Sequence, residues 1–185
     1  MGTVHNKKRY GEQWPEYRIV PVLEILNELR AYVILSGGWA WHFLSPEGHT
    51  EYKHAHDHKD VDIFVNPIDV PLVMRILQKQ GFEKVWTRYD MMPGNEGFRR
   101  YEKTEMLFES KFFRVTIDFF ERKEIPTRKV RGWNIVEPVY LLGLYGSIHS
   151  GEQCWAVQVS KELLAQGIDP LDREELVTLP KYLPK

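Results

Sequence analysis

Residues 58–67 read HKDVDIFVNP, and the alternation inside this stretch decides how the chain is read. Along a strand, side chains at i and i+2 share a face. Val61 and Ile63 therefore turn towards a core while Asp60 and Asp62 project together on the other side, and Asn66-Pro67 closes the strand. Upstream, residues 32–35 (YVIL) form a second short, buried strand. Ser36-Gly37-Gly38 then makes a tight turn, and residues 39–44 begin a helix. Before them, Val22, Leu23, Ile25, Leu26 and Leu29 recur at helical spacing within residues 19–29, as in an amphipathic helix.

Downstream, Val70, Val73, Met74 and Leu77 share one face of a helix over residues 70–80, with Gly81 as its stop. FEKVWTRY (residues 82–89) reads as a further strand and DMMPGNEG (90–97) as a turn. Residues 98–121 hold two or three antiparallel strands. Within RVTIDFF (114–120), Val115, Ile117 and Phe119 take one face and Thr116, Asp118 and Phe120 the other. VYLLGLYGSIH after Pro138 and VSKELLAQG further on read as helices, and the tail with Pro180 and Pro184 as irregular. The order predicts an α/β (α+β) fold, a mixed sheet with flanking helices. A flexible segment over residues 1–17 precedes a single domain over 18–185, whose C-terminal helices start at about residue 137.

Composition narrows the function. The chain has 185 residues, 25 basic and 26 acidic, for a formal net charge of -1. No bulk positive charge is present to displace counterions from a long nucleic acid, whereas a small phosphate-bearing ligand needs only a local positive site. At 43% hydrophobic and 13% aromatic residues, a sizeable core is expected. One cysteine, Cys154, excludes a disulfide framework and a multi-cysteine zinc site, and points to a reducing, cytoplasmic setting. No apolar run approaches the roughly 18 residues of a membrane span, and the basic N-terminus is not followed by the apolar stretch of a signal peptide.

The chemistry sits in three pieces: Ser36-Gly37-Gly38 at a strand-to-helix junction, Asp60 and Asp62 on a strand, and Asp118 on a later strand. Two adjacent carboxylates repel unless a cation compensates, and magnesium-type ions prefer a few carboxylates together with substrate phosphates. If the strand of Asp118 lies beside that of Asp60 and Asp62, the three acids can hold two metals about 3.5–4 Å apart. A Gly-Gly turn at a helix start exposes backbone N–H groups to an anion at the positive end of the helix dipole, and Ser36 adds a hydroxyl.

LSGGWAWHFL, then HKDVDIFV, then VTIDFF resembles the nucleotidyltransferase superfamily related to DNA polymerase beta, nearest its small antibiotic and minimal nucleotidyltransferase branch. The matching residues are Gly37, Gly38, Trp39 and Ala40, then His58, Asp60 and Asp62, with Asp118 as the third carboxylate. The resemblance covers residues 32–120 and implies Mg2+ (or Mn2+) dependence and transfer of a nucleoside monophosphate from a nucleoside triphosphate to an acceptor hydroxyl. The acceptor is open between a small molecule, an RNA end and a protein. Asp60, Asp62 and Asp118 would be catalytic and metal-binding, with the metals assisting in-line attack on the α-phosphorus. Ser36, Gly37, Gly38 and His58 would bind the nucleotide.

Other readings stand beside this one. The same fold also serves as a catalytically inactive nucleotide-binding or scaffold protein. His49, His54, His56 and His58 allow a His/Asp metal-dependent hydrolase, although KHAHDHK lacks one residue of the hydrolase spacing and a solvated loop explains it as well. Trp39, Trp41 and Phe43 are expected in packing, while Trp133 is a candidate for stacking on a base. Lys111, Arg114, Arg122, Lys123, Arg128, Lys129 and Arg131 form a local basic surplus that suits a triphosphate or simply a solvated face.

Overall fold

In the computed structural model, residues 16–44, 60–106 and 112–148 are described. Helix α1 (Glu16–Leu29) leads into β1 (Val33–Leu35), α2 (Gly37–Leu44), β2 (Asp60–Val65), α3 (Val70–Lys79) and β3 (Glu83–Val85). A 3-10 turn (Arg88–Met91) precedes β4 (Phe98–Met106) and β5 (Phe112–Glu121), then β6 (Thr127–Val130), β7 (Trp133–Val136) and α4 (Pro138–Ile148). The strands form one seven-stranded sheet in the order β3-β4-β5-β2-β1-β7-β6. It is mixed: β2–β5 and β1–β7 are parallel, and the remaining pairs are antiparallel.

The period-two patterns hold through the sheet centre. Val61, Ile63 and Val65 on β2, and Val115, Ile117 and Phe119 on β5, are buried. They join Val22, Ile25, Leu26 and Leu29 of α1, and Val70, Val73 and Leu77 of α3, in one hydrophobic cluster. Fully burying a side chain of this size contributes about 1.5–3 kcal/mol, so this face fixes the register and leaves the opposite face free for polar residues. Helix α3 ends as its sequence predicts. Gly81, at φ +86°, donates its N–H to the Gln78 carbonyl, and Phe82 donates to Leu77.

Two expectations are corrected, and one hairpin is unexpected. Helix α2 begins at Gly37, not after a three-residue turn, because the Ser36 carbonyl accepts the Ala40 N–H at 3.1 Å and the glycines are already inside the first turn. The strand expected over residues 82–89 stops at Val85. There Thr87 and Asp90 form a reciprocal capping box: the Thr87 N–H donates to Asp90 Oδ2 at 2.7 Å and the Tyr89 N–H to Thr87 Oγ1 at 3.2 Å, which turns the backbone into the 3-10 segment. Finally, residues 127–136 form the hairpin β6–β7, which the sequence pattern does not announce. Its two-residue turn is Arg131-Gly132, both at positive φ, between the paired residues Val130 and Trp133. Residues 1–15, 45–59, 107–111 and 149–185, with the second C-terminal helix expected in the last of these, lie outside the described residues.

Candidate active site

The sheet brings the acids of β2 and β5 into one row. The two strands run parallel with Asp62 opposite Asp118 and Asp60 opposite Thr116. In register, partners on neighbouring strands share a face, and the strands lie about 4.8 Å apart. Asp60, Asp62 and Asp118 therefore stand on the face opposite Val61, Ile63, Ile117 and Phe119. The parity of the two strands, legible in the sequence, produces this arrangement.

Gly37 lies against the same row. Its φ is +57°, and a methyl placed on its Cα would collide with the Asp62 carboxylate. Next to it, the Ser36 N–H donates to the Asp62 main-chain carbonyl at 2.9 Å. Ser36 is buried, 5% exposed. The junction between β1 and α2 is thus fastened to β2 at the aspartate itself, through the backbone on one side and through the missing side chain of Gly37 on the other. The glycine is required for the approach of a protein carboxylate as well as for the backbone conformation.

One partner in this row has no signal in the sequence. Arg100 of β4 pairs with Asp118 across the antiparallel β4–β5 ladder. Its Nε donates to Asp118 Oδ1 and its Nη2 to Oδ2, both at 2.6 Å, a bidentate charge-assisted pair. Asp118 is 7% exposed. The hydrogen bonds to Asp118 hold the Arg100 guanidinium charged far beyond its ordinary range against the pull of burial, and the charges of Asp118, Asp60 and Glu102 add to this. FRRY offers two arginines in succession, and only the ladder register separates them. Arg99 points the other way, over the Phe119 ring and onto Glu121 at 3.2 Å.

Asp60 and Asp62 share one face, and carboxylate oxygens of this kind are the ligands that a magnesium-class ion prefers. In the present arrangement, no three His, Cys, Asp or Glu side chains among the described residues are gathered as a metal cage. Both Asp118 oxygens face Arg100 instead. His58 and the other loop histidines, His49, His54 and His56, lie outside the described residues, as does Lys111.

The aromatic and basic candidates resolve towards structure. Trp39 is fully buried, and Phe43 stacks on Trp133 with ring centroids 4.9 Å apart. Trp133 is itself only 6% exposed, with the Arg30 guanidinium over its ring, so it is part of the core and not a platform for a base. Within the basic surplus, Arg114 pairs with Glu102 at 3.3 Å and Arg128 with Glu137 at 2.9 Å. Among the described residues, no helix is long and apolar enough to cross a membrane.

No protein-family model and no curated protein matches the sequence. Solved structures do match. JHP933 from Helicobacter pylori aligns with a TM-score of 0.50 at 12% identity, over 76% of this chain and 61% of that one, so the chain spans less than two thirds of that protein's length. LnuA, a lincosamide antibiotic adenylyltransferase solved with lincomycin bound, aligns at 0.46 and 13% identity, over 81% of this chain and 98% of that one. The Megavirus polyadenylate synthase aligns at 0.48 and 16% identity, over 90% and 34%. At 12% identity and a TM-score of 0.50, the likeness to JHP933 speaks to the fold alone. The fold that the chain shares with JHP933 is a mixed sheet flanked by helices, and in this chain it sets the aspartates of β2 and β5 in register beside the β1–α2 junction.

Proposed function

We propose that the chain is a metal-dependent nucleotidyltransferase that moves a nucleoside monophosphate from a nucleoside triphosphate to an acceptor hydroxyl. The observation that carries this reading is the registered pair Asp62–Asp118 with Gly37 closed against Asp62, because it places an acidic row beside a helix N-terminus. Asp60 and Asp62 would hold a magnesium-class ion, which when bound supplies charge neutralisation to the triphosphate. The N–H groups of Gly37 and Gly38 at the start of α2 would face the phosphates with the positive end of the helix dipole, and Ser36, whose own N–H is held by the Asp62 carbonyl, would add its hydroxyl. His58 would join them from the loop before β2.

Asp118 is one strand away from Asp62, on the side away from α2, where an acceptor hydroxyl would approach. Asp118 would hold a second magnesium-class ion with Asp62, which when bound would lower the pKa of that hydroxyl; the hydroxyl gives its proton to solvent as its oxygen attacks the α-phosphorus. The new bond joins the acceptor oxygen to phosphorus, the bond to pyrophosphate breaks, and pyrophosphate leaves with the electron pair. The contribution of the protein is then positioning and charge, as expected for transfer at phosphorus. The cytoplasm, with its supply of triphosphate and magnesium, suits a chain with a single cysteine.

The reading is tested by incubating the purified chain with α-labelled nucleoside triphosphates, magnesium and a cell lysate. Label should pass to a small molecule, an RNA end or a protein, and the fraction carrying it names the acceptor class. A chain that binds nucleotide yet labels none of these fractions with any of the common nucleotides is instead an inactive member of this fold.

A further inference from the structure

The Arg100–Asp118 pair stands at the β4 end of the acidic row, and its geometry bears on how the site is loaded. A guanidinium and a divalent ion ask the same thing of a carboxylate: lone pairs directed at a positive centre. Both Asp118 oxygens already accept a short bond from Arg100, at 2.6 Å each. A magnesium-class ion requires an oxygen at about 2.0–2.1 Å and tolerates little departure from octahedral geometry. Each oxygen keeps a second lone pair, but an ion that took it beside Asp62 would sit against the full positive charge of the guanidinium.

Among the described residues, two further cross-strand ion pairs join β4 and β5. Arg114 covers Glu102, one pair further along the same face, but Glu102 is on β4 and away from Asp62. Arg99 and Glu121 are paired on the opposite face. Of these cross-strand ion pairs, Arg100–Asp118 alone involves a carboxylate in register with a second carboxylate on β2. An arginine here lowers the repulsion between Asp62 and Asp118 before a metal binds, which lets the sheet form with two like charges on adjacent strands. The same positive charge then opposes any cation that arrives.

We propose that Arg100 is a built-in competitor for the metal: it caps Asp118 in the resting site, and a divalent ion gains Asp118 as a ligand beside Asp60 and Asp62 only as the guanidinium swings off that carboxylate. The proposal rests on the metal-dependent reading of the row and concerns how the row is kept closed to metal until loading. It makes Arg100 a positioning residue, acting through Asp118. The site then resists occupation by free divalent ions and is loaded under conditions that also give the guanidinium another anion to hold, such as a polyphosphate.

The test uses the full chain and Mn2+ alone, with free ion followed by electron paramagnetic resonance, in wild type, Arg100→Gln, Arg100→Lys and Asp62→Asn. Arg100→Gln should bind Mn2+ about tenfold or more tightly than wild type, since a full positive charge is removed from beside the ion. Arg100→Lys keeps that charge and should stay near wild type. Asp62→Asn should weaken binding. Equal or weaker binding by Arg100→Gln, with Asp62-dependent binding in wild type, overturns the proposal and leaves the metal reading intact. Absence of binding in both wild type and Arg100→Gln overturns the metal reading and the proposal together. Should the glutamine variant fail to fold, the Arg100 Nε–H resonance of wild type, titrated with Mg2+, gives the same answer: it should move as the ion saturates. A resonance unmoved at saturation shows that the pair survives metal binding and contradicts the proposal.

Discussion

Asparagine at position 118 is expected to stop nucleotidyl transfer while leaving triphosphate binding close to wild type. On the proposed reading Asp60, Asp62 and the α2 N-terminus would still hold the first metal and the phosphates, whereas the acceptor hydroxyl would lose the carboxylate on which its activation depends. Loss of such a group costs roughly 10²–10⁴-fold in turnover, so the defect should fall on kcat and not on nucleotide affinity. The structure adds a cost in stability. In Asp118→Asn the new amide keeps one oxygen for the Arg100 guanidinium and turns its NH2 group towards the other donor, so one of two charge-assisted bonds is lost. That loss is worth about 1.5–3 kcal/mol, a fraction of the roughly 5–15 kcal/mol that holds a domain folded. A melting curve therefore separates the two effects: the variant should melt lower, remain folded at assay temperature and bind the triphosphate. Full activity in Asp118→Asn would remove Asp118 from the mechanism.

Alanine at position 37 is expected to damage both stability and binding. At φ +57° an L-residue costs about 1–2 kcal/mol. The added methyl also falls on the Asp62 carboxylate, which must rotate away or push the β1–α2 junction off β2. In a domain of this size each kcal/mol lowers Tm by about 2–4 °C, so a loss of several degrees should accompany loss of metal-dependent triphosphate binding. Calorimetry on Gly37→Ala checks the second part, and thermal unfolding the first. A variant that melts and binds like wild type would mean that Asp62 does not depend on Gly37 for its position.

The sheet centre is legible in the sequence because apolar and polar residues alternate up to Ile63 on β2 and up to Phe119 on β5, beyond which Phe64 and Phe120 carry apolar surface onto the aspartate face. DVDIFV and RVTIDFF each carry an apolar face that admits one orientation only, and that orientation puts Asp60, Asp62 and Asp118 on the other side. Their adjacency is a long-range fact, and the family resemblance, not the periodicity, supplies it. Arg100 is illegible for the same reason: nothing local distinguishes it from Arg99, and its partner lies across a ladder whose register emerges only in the folded sheet. The hairpin at Arg131-Gly132 is hidden because its turn places an arginine, a residue seldom found at positive φ, where asparagine or glycine is usual. Trp133 looks available to a base in the sequence because the helix that covers it, α2, lies far upstream and brings Phe43 onto its ring.

The most direct test is isothermal calorimetry of a nonhydrolysable nucleoside triphosphate with Mg2+, comparing wild type with the double variant Asp60→Asn, Asp62→Asn. Wild type should bind the nucleotide, with affinity that rises with magnesium, because a site of few carboxylates completes its ligand shell with phosphate oxygens. The double variant should lose the magnesium-dependent part of that affinity while keeping the wild-type fold by circular dichroism. Undiminished, magnesium-dependent binding in the folded double variant would contradict the assignment of the metal to Asp60 and Asp62, and with it the account of the acidic row as a nucleotidyl-transfer site.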